Sequence, residues 1–416
     1  MPNSQLKIIE LVEHQPQTIA REEMPQGVVE ELRAKYGSAV KVELKDSKTG
    51  DRWQLLNRGW AGYIPLTPEL GLRLQPKVPL KNIFGMLEYA YQLKSFQILQ
   101  GLMDCQSLEE YCDRLAGILA RNVSDRLAKG LYQAYLPKTD KLAGVRGRLD
   151  LQQAIREPWQ VKLKCYYNER TGDIEENQIL AWTLHCIARA GLGREETRLA
   201  VLKSDRALQG FVTLRPFSPK DCSGRQYHRL NYDYQPLHAL CRFFLEHLGP
   251  SHEIGDREIF PFLVDMAKLY ERFVAEWLKT HLPPSYYLKF QERVDIGASK
   301  AVRFRIDLVI YHNSNAGYPT RDRNSFRNTP YCIVDTKYKL QLSASDVTQA
   351  IAYAVSKTSP LAVLAYPAPS RQPLDEWVGN IRIRSIVFSL DGDLEKAGQA
   401  FLSDLLDRIR LNSYSL

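Results

Sequence analysis

The chain reads as an α+β multidomain protein: a β-rich N-terminal module, a mostly helical middle region and a C-terminal α/β domain with a mixed sheet. Three observations predict this. Apolar and polar residues alternate with period two from Ala39 to about Lys77. From Val78 to Leu248, apolar residues recur at helical spacings of three or four. Beyond Glu253, short apolar runs alternate with helical patterns, as strands with flanking helices do. A chain of 416 residues suggests two or three domains at roughly 150 residues each. The boundaries are drawn at 1–77, 78–250 and 251–416.

In the first segment, Gln15 to Gln26 is polar and turn-rich. Val40, Val42 and Leu44 form one alternating strand, Asp46 to Asp51 a turn, and Trp53 with Leu55 its return. Tyr63, Ile64 and Leu66, then Leu72 and Leu74, predict further strands before Pro76 and Pro79 break the pattern.

In the second segment, Ile83, Phe84, Leu87, Ala90 and Tyr91 share a helical face. Ser107 and Glu110 form a capping-box pattern ahead of Cys112, Leu115, Leu119, Val123, Leu127 and Leu131. Pro137 to Gly147 reads as a break, and helices follow at Ile174–Ala190 and Pro236–Leu248.

The third segment opens with a helix at Val264–Leu282. Strands are predicted at Tyr286–Glu292, Val302–Tyr311, Tyr331–Thr336, Ala362–Tyr366 and Ile381–Phe388, with helices at Ala344–Ser356 and Leu394–Ile409.

Composition excludes several classes. Hydrophobic residues at 44% and charged residues at 25% rule out wholesale disorder. The seven cysteines are odd in number and form no CxxC, so neither a disulfide framework nor a zinc knuckle is indicated. Met1 to Glu10 has no basic stretch followed by an apolar one, and no apolar run reaches the ~20 residues of a membrane span. A cytoplasmic protein without a membrane partner is expected. The net charge of +8 tilts the partner toward a polyanion. No GxxxxGK[ST] loop occurs, so no nucleotide is expected on this chain. His228 and His238 are isolated and form no ligand set.

The sharpest signal lies in the last segment. Arg305-Ile306-Asp307-Leu308-Val309-Ile310 sets one carboxylate inside an apolar strand. Cys332-Ile333-Val334-Asp335-Thr336-Lys337 ends a second strand with an acid and a lysine two apart, hence on one face. If the strands pair, Asp307 joins them. Two such carboxylates repel unless a cation neutralises them, and Mg²⁺ meets that demand with oxygen ligands and retained waters. Mn²⁺ is an acceptable substitute. A metal acidifies a water for attack on a phosphodiester, and a lysine can orient that water or stabilise developing charge. Asp-x-Lys alone is weak: Glu43 with Lys45 repeats the spacing in a hairpin. Context distinguishes Asp335-Thr336-Lys337, with Glu271 on an upstream helix and Gln349 and Tyr353 four apart on the following one. The competing reading is a pair of salt-bridged strand ends. Arg303 and Arg305 flank Asp307, and Arg321, Arg323 and Arg327 sit in a polar insertion; all five are candidate DNA-phosphate contacts. Arg146 and Arg148 read as a solvated turn.

This order of an acid-bearing helix, an Asp strand, an Asp-x-Lys strand and a helix resembles the PD-(D/E)xK nuclease superfamily. Gln349-x-x-x-Tyr353 looks like the QxxxY element of its RecB-like branch. Ile306 replaces the usual proline, and the second acid is Asp335 where Glu is commoner. The blocks Leu72–Leu93, Gly130–Leu151 and Cys165–Leu180 resemble the McrC family, nuclease subunits of modified-cytosine-dependent (type IV) restriction systems. The resemblance implies a metal-dependent endonuclease acting on double-stranded DNA, partnered by an McrB-like AAA+ GTPase ring. It implies Asp307, Asp335 and Lys337 as catalytic residues. Asp307, Asp335 and the Thr336 carbonyl would hold metal, with Glu271 as a further ligand and Gln349 and Tyr353 in support. It also implies that the N-terminal module docks on the ring. Two alternatives stay open: an autonomous RecB-like repair nuclease, and a non-catalytic adaptor that activates a partner AAA+ protein.

Overall fold

The structure, a computed structural model, describes residues 7–45, 52–93, 105–190, 194–249, 252–254, 257–259, 261–296, 302–312, 330–339, 341–370 and 373–407. The predicted turn at 46–51 and Arg321, Arg323 and Arg327 fall outside them. The chain packs as two compact units, Met1–Leu108 with Leu263–Leu416, and Glu109–Phe262.

The N-terminal part holds β1 (Lys7–Val12), β2 (Pro16–Ala20), α1 (Gln26–Tyr36), β3 (Val40–Lys45), β4 (Arg52–Asn57), β5 (Trp60–Thr67), β6 (Leu70–Gln75) and α2 (Leu80–Ala90). The alternation at Val40–Leu44 and Trp53–Leu55 becomes the β3–β4 pair, with Val42 opposite Leu55. β2 occupies ground that the sequence read as turn-rich, and α1 lies in a stretch for which no element is predicted. Only Ile19 of β2 is buried, and α1 buries just Val29, Leu32 and Tyr36, too few apolar positions to announce an element. β1 runs parallel to β6. Two small sheets, β2-β4-β3 and β1-β6-β5-β12 (β12 being Phe262–Asp265), close on a core that includes Leu11, Leu32, Trp53, Leu55, Ile64 and Leu72.

The second unit is not purely helical. It contains α3 (Leu108–Lys129), β7 (Ala134–Leu142), β8 (Arg148–Leu149), α4 (Leu151–Arg156), β9 (Leu163–Thr171), α5 (Glu175–Arg189), α6 (Glu195–Gln209), α7 (Tyr234–His247), β10 (His252–Ile254) and β11 (Arg257–Ile259). The break predicted at Pro137 is instead strand β7, in a sheet of order β7-β9-β8. No residue of β7 is fully buried, so it lacks the alternation that marks a strand. Arg146 lies over the Tyr167 ring at 4.2 Å and Arg148 over Tyr166 at 5.2 Å, so both rest on aromatic faces of this sheet.

His238 is fully buried in α7. Its Nε2 lies 3.0 Å from the Glu176 carbonyl, which can only accept, so Nε2 carries the proton and Nδ1 accepts from Tyr227 Oη at 2.8 Å. Burial depresses its pKa to about 4. The unfolded chain therefore binds a proton near pH 6.5 that the folded one refuses. Stability should fall as pH drops from about 6.5 towards 4, by up to about 3 kcal/mol. Urea titrations across that range should show the slope, and His238→Gln should flatten it. An unchanged slope in the variant would mean other groups cause it.

The chain returns to the first unit through β12 (Phe262–Asp265), which lies beside β5 in the N-terminal sheet. There follow α8 (Met266–His281), β13 (Tyr286–Ile296), β14 (Val302–His312), β15 (Pro330–Thr336), α9 (Ala344–Lys357), β16 (Leu361–Tyr366), β17 (Asp375–Val378), β18 (Ile381–Val387) and α10 (Leu394–Leu406). All five predicted strands are present, and β17 is an addition. The sheet order is β13-β14-β15-β16-β18-β17. It is mixed: β14 is antiparallel to β13 and β15, while β15, β16 and β18 run parallel. The whole of β16 is buried, as a central strand covered on both faces must be. α9 packs Ala350, Tyr353 and Ala354 against Ile333, Ala362 and Leu364. Phe388, just past β18, contacts Phe273 and Trp277 of α8 and Phe401 of α10.

α8 starts where Asp265 accepts from the Ala267 and Lys268 amides, and α9 starts at a Ser343–Asp346 capping box. Gly398 of α10 has no room for a side chain, because a Cβ there would strike the buried Trp277 ring. Gly398→Val should therefore destabilise this unit by about 1–3 kcal/mol, measured as a lower denaturation midpoint. An unchanged midpoint would mean that α10 can shift away freely.

Candidate functional site

Strand register builds the site. β14 pairs with β15 through Val309–Ile333 and Leu308–Val334, and one further step sets Asp307 opposite Asp335. Residues directly opposite share a face of the sheet. The ladder between these strands ends there. Asp307 Oδ2 instead accepts from the Thr336 amide at 3.0 Å and the Thr336 hydroxyl at 2.9 Å.

Asp335 closes the buried run of β15 and is 1% exposed. Lys337 Nζ lies 2.8 Å from Asp335 Oδ2. The contact is an ion pair made to a buried carboxylate oxygen. Burial first, and Asp307 second, raise the Asp335 carboxyl well above the usual carboxylate range, against the pull of Lys337. Lys337 is in turn held by α9: its Nζ donates to Gln349 Oε1 at 2.9 Å, and Gln349 Nε2 donates to Tyr353 Oη at 2.7 Å. Tyr353 is nearly buried, its ring edge-on to Phe304 at 5.3 Å. A continuous chain thus runs Asp335–Lys337–Gln349–Tyr353.

Glu271, half-buried on α8, is also raised above the ordinary carboxylate range, by burial first and then by Asp307. Arg305 pulls it back. Among the described residues no three His, Cys, Asp or Glu side chains form a ready-made metal cluster. Arg303 is exposed and ion-paired with Asp295 at 2.6 Å across its own hairpin. Arg305 is exposed.

One residue at the site had no sequence signal. Gln291 of β13 donates its side-chain amide to Glu271 Oε1 at 3.0 Å. A glutamine inside a strand pattern looks like any solvent-facing position.

Fold and site together define an α+β chain whose mixed sheet carries an acid–acid–lysine centre on adjacent central strands. The family described as "McrBC 5-methylcytosine restriction system component" matches residues 56–367, well over half of the chain, and the chain belongs to that family. The resemblance to McrC read from the residues is thereby borne out. The chain is 24% identical over 213 residues to the type IV methyl-directed restriction enzyme EcoKMcrBC of Escherichia coli K12. That match covers 50% of this chain and 61% of the relative's length. The fold is similar to a chain in the tetradecameric assembly of Thermococcus gammatolerans McrB AAA+ hexamers with bound McrC. The TM-score is 0.53 at 17% identity, covering 96% of this chain and 100% of that one. Among the described residues no helix is long and apolar enough to cross a membrane.

Proposed function

We propose that this chain is the metal-dependent endonuclease subunit of a GTPase-driven, modified-cytosine-dependent restriction system, and that its last domain is a PD-(D/E)xK nuclease. The observation that carries the reading is the cross-strand pair Asp307 and Asp335 with Lys337 ion-paired to the buried Asp335 carboxylate. A strand end used only for structure would not need two like charges at one level, one of them fully buried.

The residues fit a divalent cation. Asp307 and Asp335 supply hard oxygen donors, the Thr336 carbonyl can add another, and Glu271 is electrostatically linked to Asp307. So few protein ligands suit Mg²⁺, which keeps several of its waters. When bound, such an ion neutralises phosphate charge and makes a water more acidic. Lys337, aimed by Gln349, stands where it can orient the attacking water or stabilise charge on the phosphate. Tyr353 anchors Gln349 from the core. Arg303 and Arg305, both exposed, are the described candidates for a phosphate contact.

The partner in this reading is an McrB-like AAA+ GTPase ring. Family membership supports it, and the similar chain from Thermococcus gammatolerans comes from an assembly with McrB. The N-terminal module would dock on the ring and stimulate its GTPase.

The test is cleavage of long methylated and unmethylated DNA by the purified chain with Mg²⁺, with and without its GTPase and GTP. Cutting of methylated DNA only in the full mixture is the expected result. Cutting by the chain alone would point to an autonomous nuclease. Stimulated GTPase activity without any cutting would leave an adaptor.

A further inference from the structure

β13 departs from strand geometry at a single residue. Phe290 pairs with Leu308 and Glu292 with Ile306, but Gln291 between them has φ 51°. Glutamine seldom adopts this left-handed conformation, and inside a strand it interrupts the ladder. The register is the same on both sides, so no residue is inserted; the backbone turns only here. The turn falls opposite Asp307. There the Gln291 amide donates to Glu271 Oε1. A backbone held this way persists only where its surroundings over-determine it, and such positions gather at functional sites.

α8 supplies the fixed side of the contact. Asp265 caps its first turn, and Leu269, Tyr270 and Phe273 are buried around Glu271. The partner chosen for that glutamate is also informative. A lysine would neutralise it and a carboxylate would repel it. An amide N–H orients one oxygen, leaves the other available and adds no charge to the site.

We infer that Gln291 is a positioning residue, whose left-handed backbone and side-chain amide fix the Glu271 carboxylate so that Glu271 supports the divalent cation of the Asp307–Asp335 pair through that ion's retained waters. This rests on the metal-nuclease reading above.

The experiment is Mn²⁺ binding to the full chain, followed by isothermal titration, together with the Mg²⁺ concentration that half-saturates cleavage. Gln291→Gly keeps the left-handed backbone and removes the amide. It should weaken Mn²⁺ binding about tenfold and raise the half-saturating Mg²⁺ by a similar factor, while the metal-free melting midpoint stays near that of the parent. Glu271→Gln should weaken binding too, and adding Gln291→Gly to it should change nothing further, because the amide acts through Glu271. Should Gln291→Gly fail to fold, Gln291→Asn gives the same readout, since it accepts the same backbone with an amide too short to reach. Unchanged Mn²⁺ affinity in the Gln291 variants, with binding lost in Asp335→Asn, overturns the role of Gln291 and leaves the metal site standing. Parental Mn²⁺ affinity in Asp335→Asn overturns the metal site and this inference with it.

Discussion

Asp335→Asn is expected to abolish DNA cleavage, by about 10³-fold or more, and to make the metal-free protein more stable at pH 8. The two effects share one cause. Asp335 is fully buried at the level of Asp307, and both burial and that neighbour disfavour its charge. Its folded-state pKa is therefore raised above the unfolded one. The stability linked to this proton is complete below the unfolded value of about 4 and is lost as pH rises towards the folded value. An amide cannot ionise, so the variant keeps that stability where the parent loses it. The melting midpoint should exceed the parent's by several degrees at pH 8, with the gap closing as pH falls towards 4. Losing the Asp335–Lys337 ion pair opposes this, but Lys337 keeps Gln349 as a partner. A lower midpoint for Asp335→Asn in metal-free buffer at pH 8 would show that the ion pair outweighs the burial of charge.

Lys337→Met should lower cleavage by about 10²–10⁴-fold while Mn²⁺ still binds. That outcome separates a residue acting on water or phosphate from one that holds the ion. The pH profile carries further information. Lys337 restrains the rise in the Asp335 pKa, so removing it should push that pKa higher. Metal needs the ionised carboxylate, so Mn²⁺ affinity should climb with pH in both proteins. In Lys337→Met the climb should begin at higher pH. Raising the metal concentration should move the rise to lower pH in each. Superimposable profiles for the two proteins would show that Lys337 does not control the charge of Asp335. Loss of Mn²⁺ binding would instead make Lys337 necessary for assembling the site.

Much of the C-terminal domain could be read in advance because its strands are continuous apolar runs. Leu308-Val309-Ile310 and Cys332-Ile333-Val334 are buried on both faces, and a single acid within such a run is conspicuous. Gln349 and Tyr353, four apart on a helix, meet as helical geometry requires. The N-terminal module was only half legible. Strands β3 to β6 alternate, whereas β1 gains its place through parallel pairing with β6, about sixty residues away. β7 was misread because it has no buried side, and without one the period-two signal disappears.

Sequence alone determined the chemistry available to this protein: two carboxylates and a lysine at strand spacing, followed by a helix with Gln349 and Tyr353, and no phosphate-binding loop. It did so because side-chain type and local period are properties of consecutive residues. Tertiary structure decided what those residues do to one another. The β14–β15 register put Asp307 opposite Asp335 and turned two separate acids into one strained pair. It paired Arg303 with Asp295, and it turned the backbone at Gln291 so that an unremarkable glutamine reaches Glu271. Pairing register, burial and left-handed backbone arise only when distant segments meet, and the repulsion and orientation at this site depend on those distances.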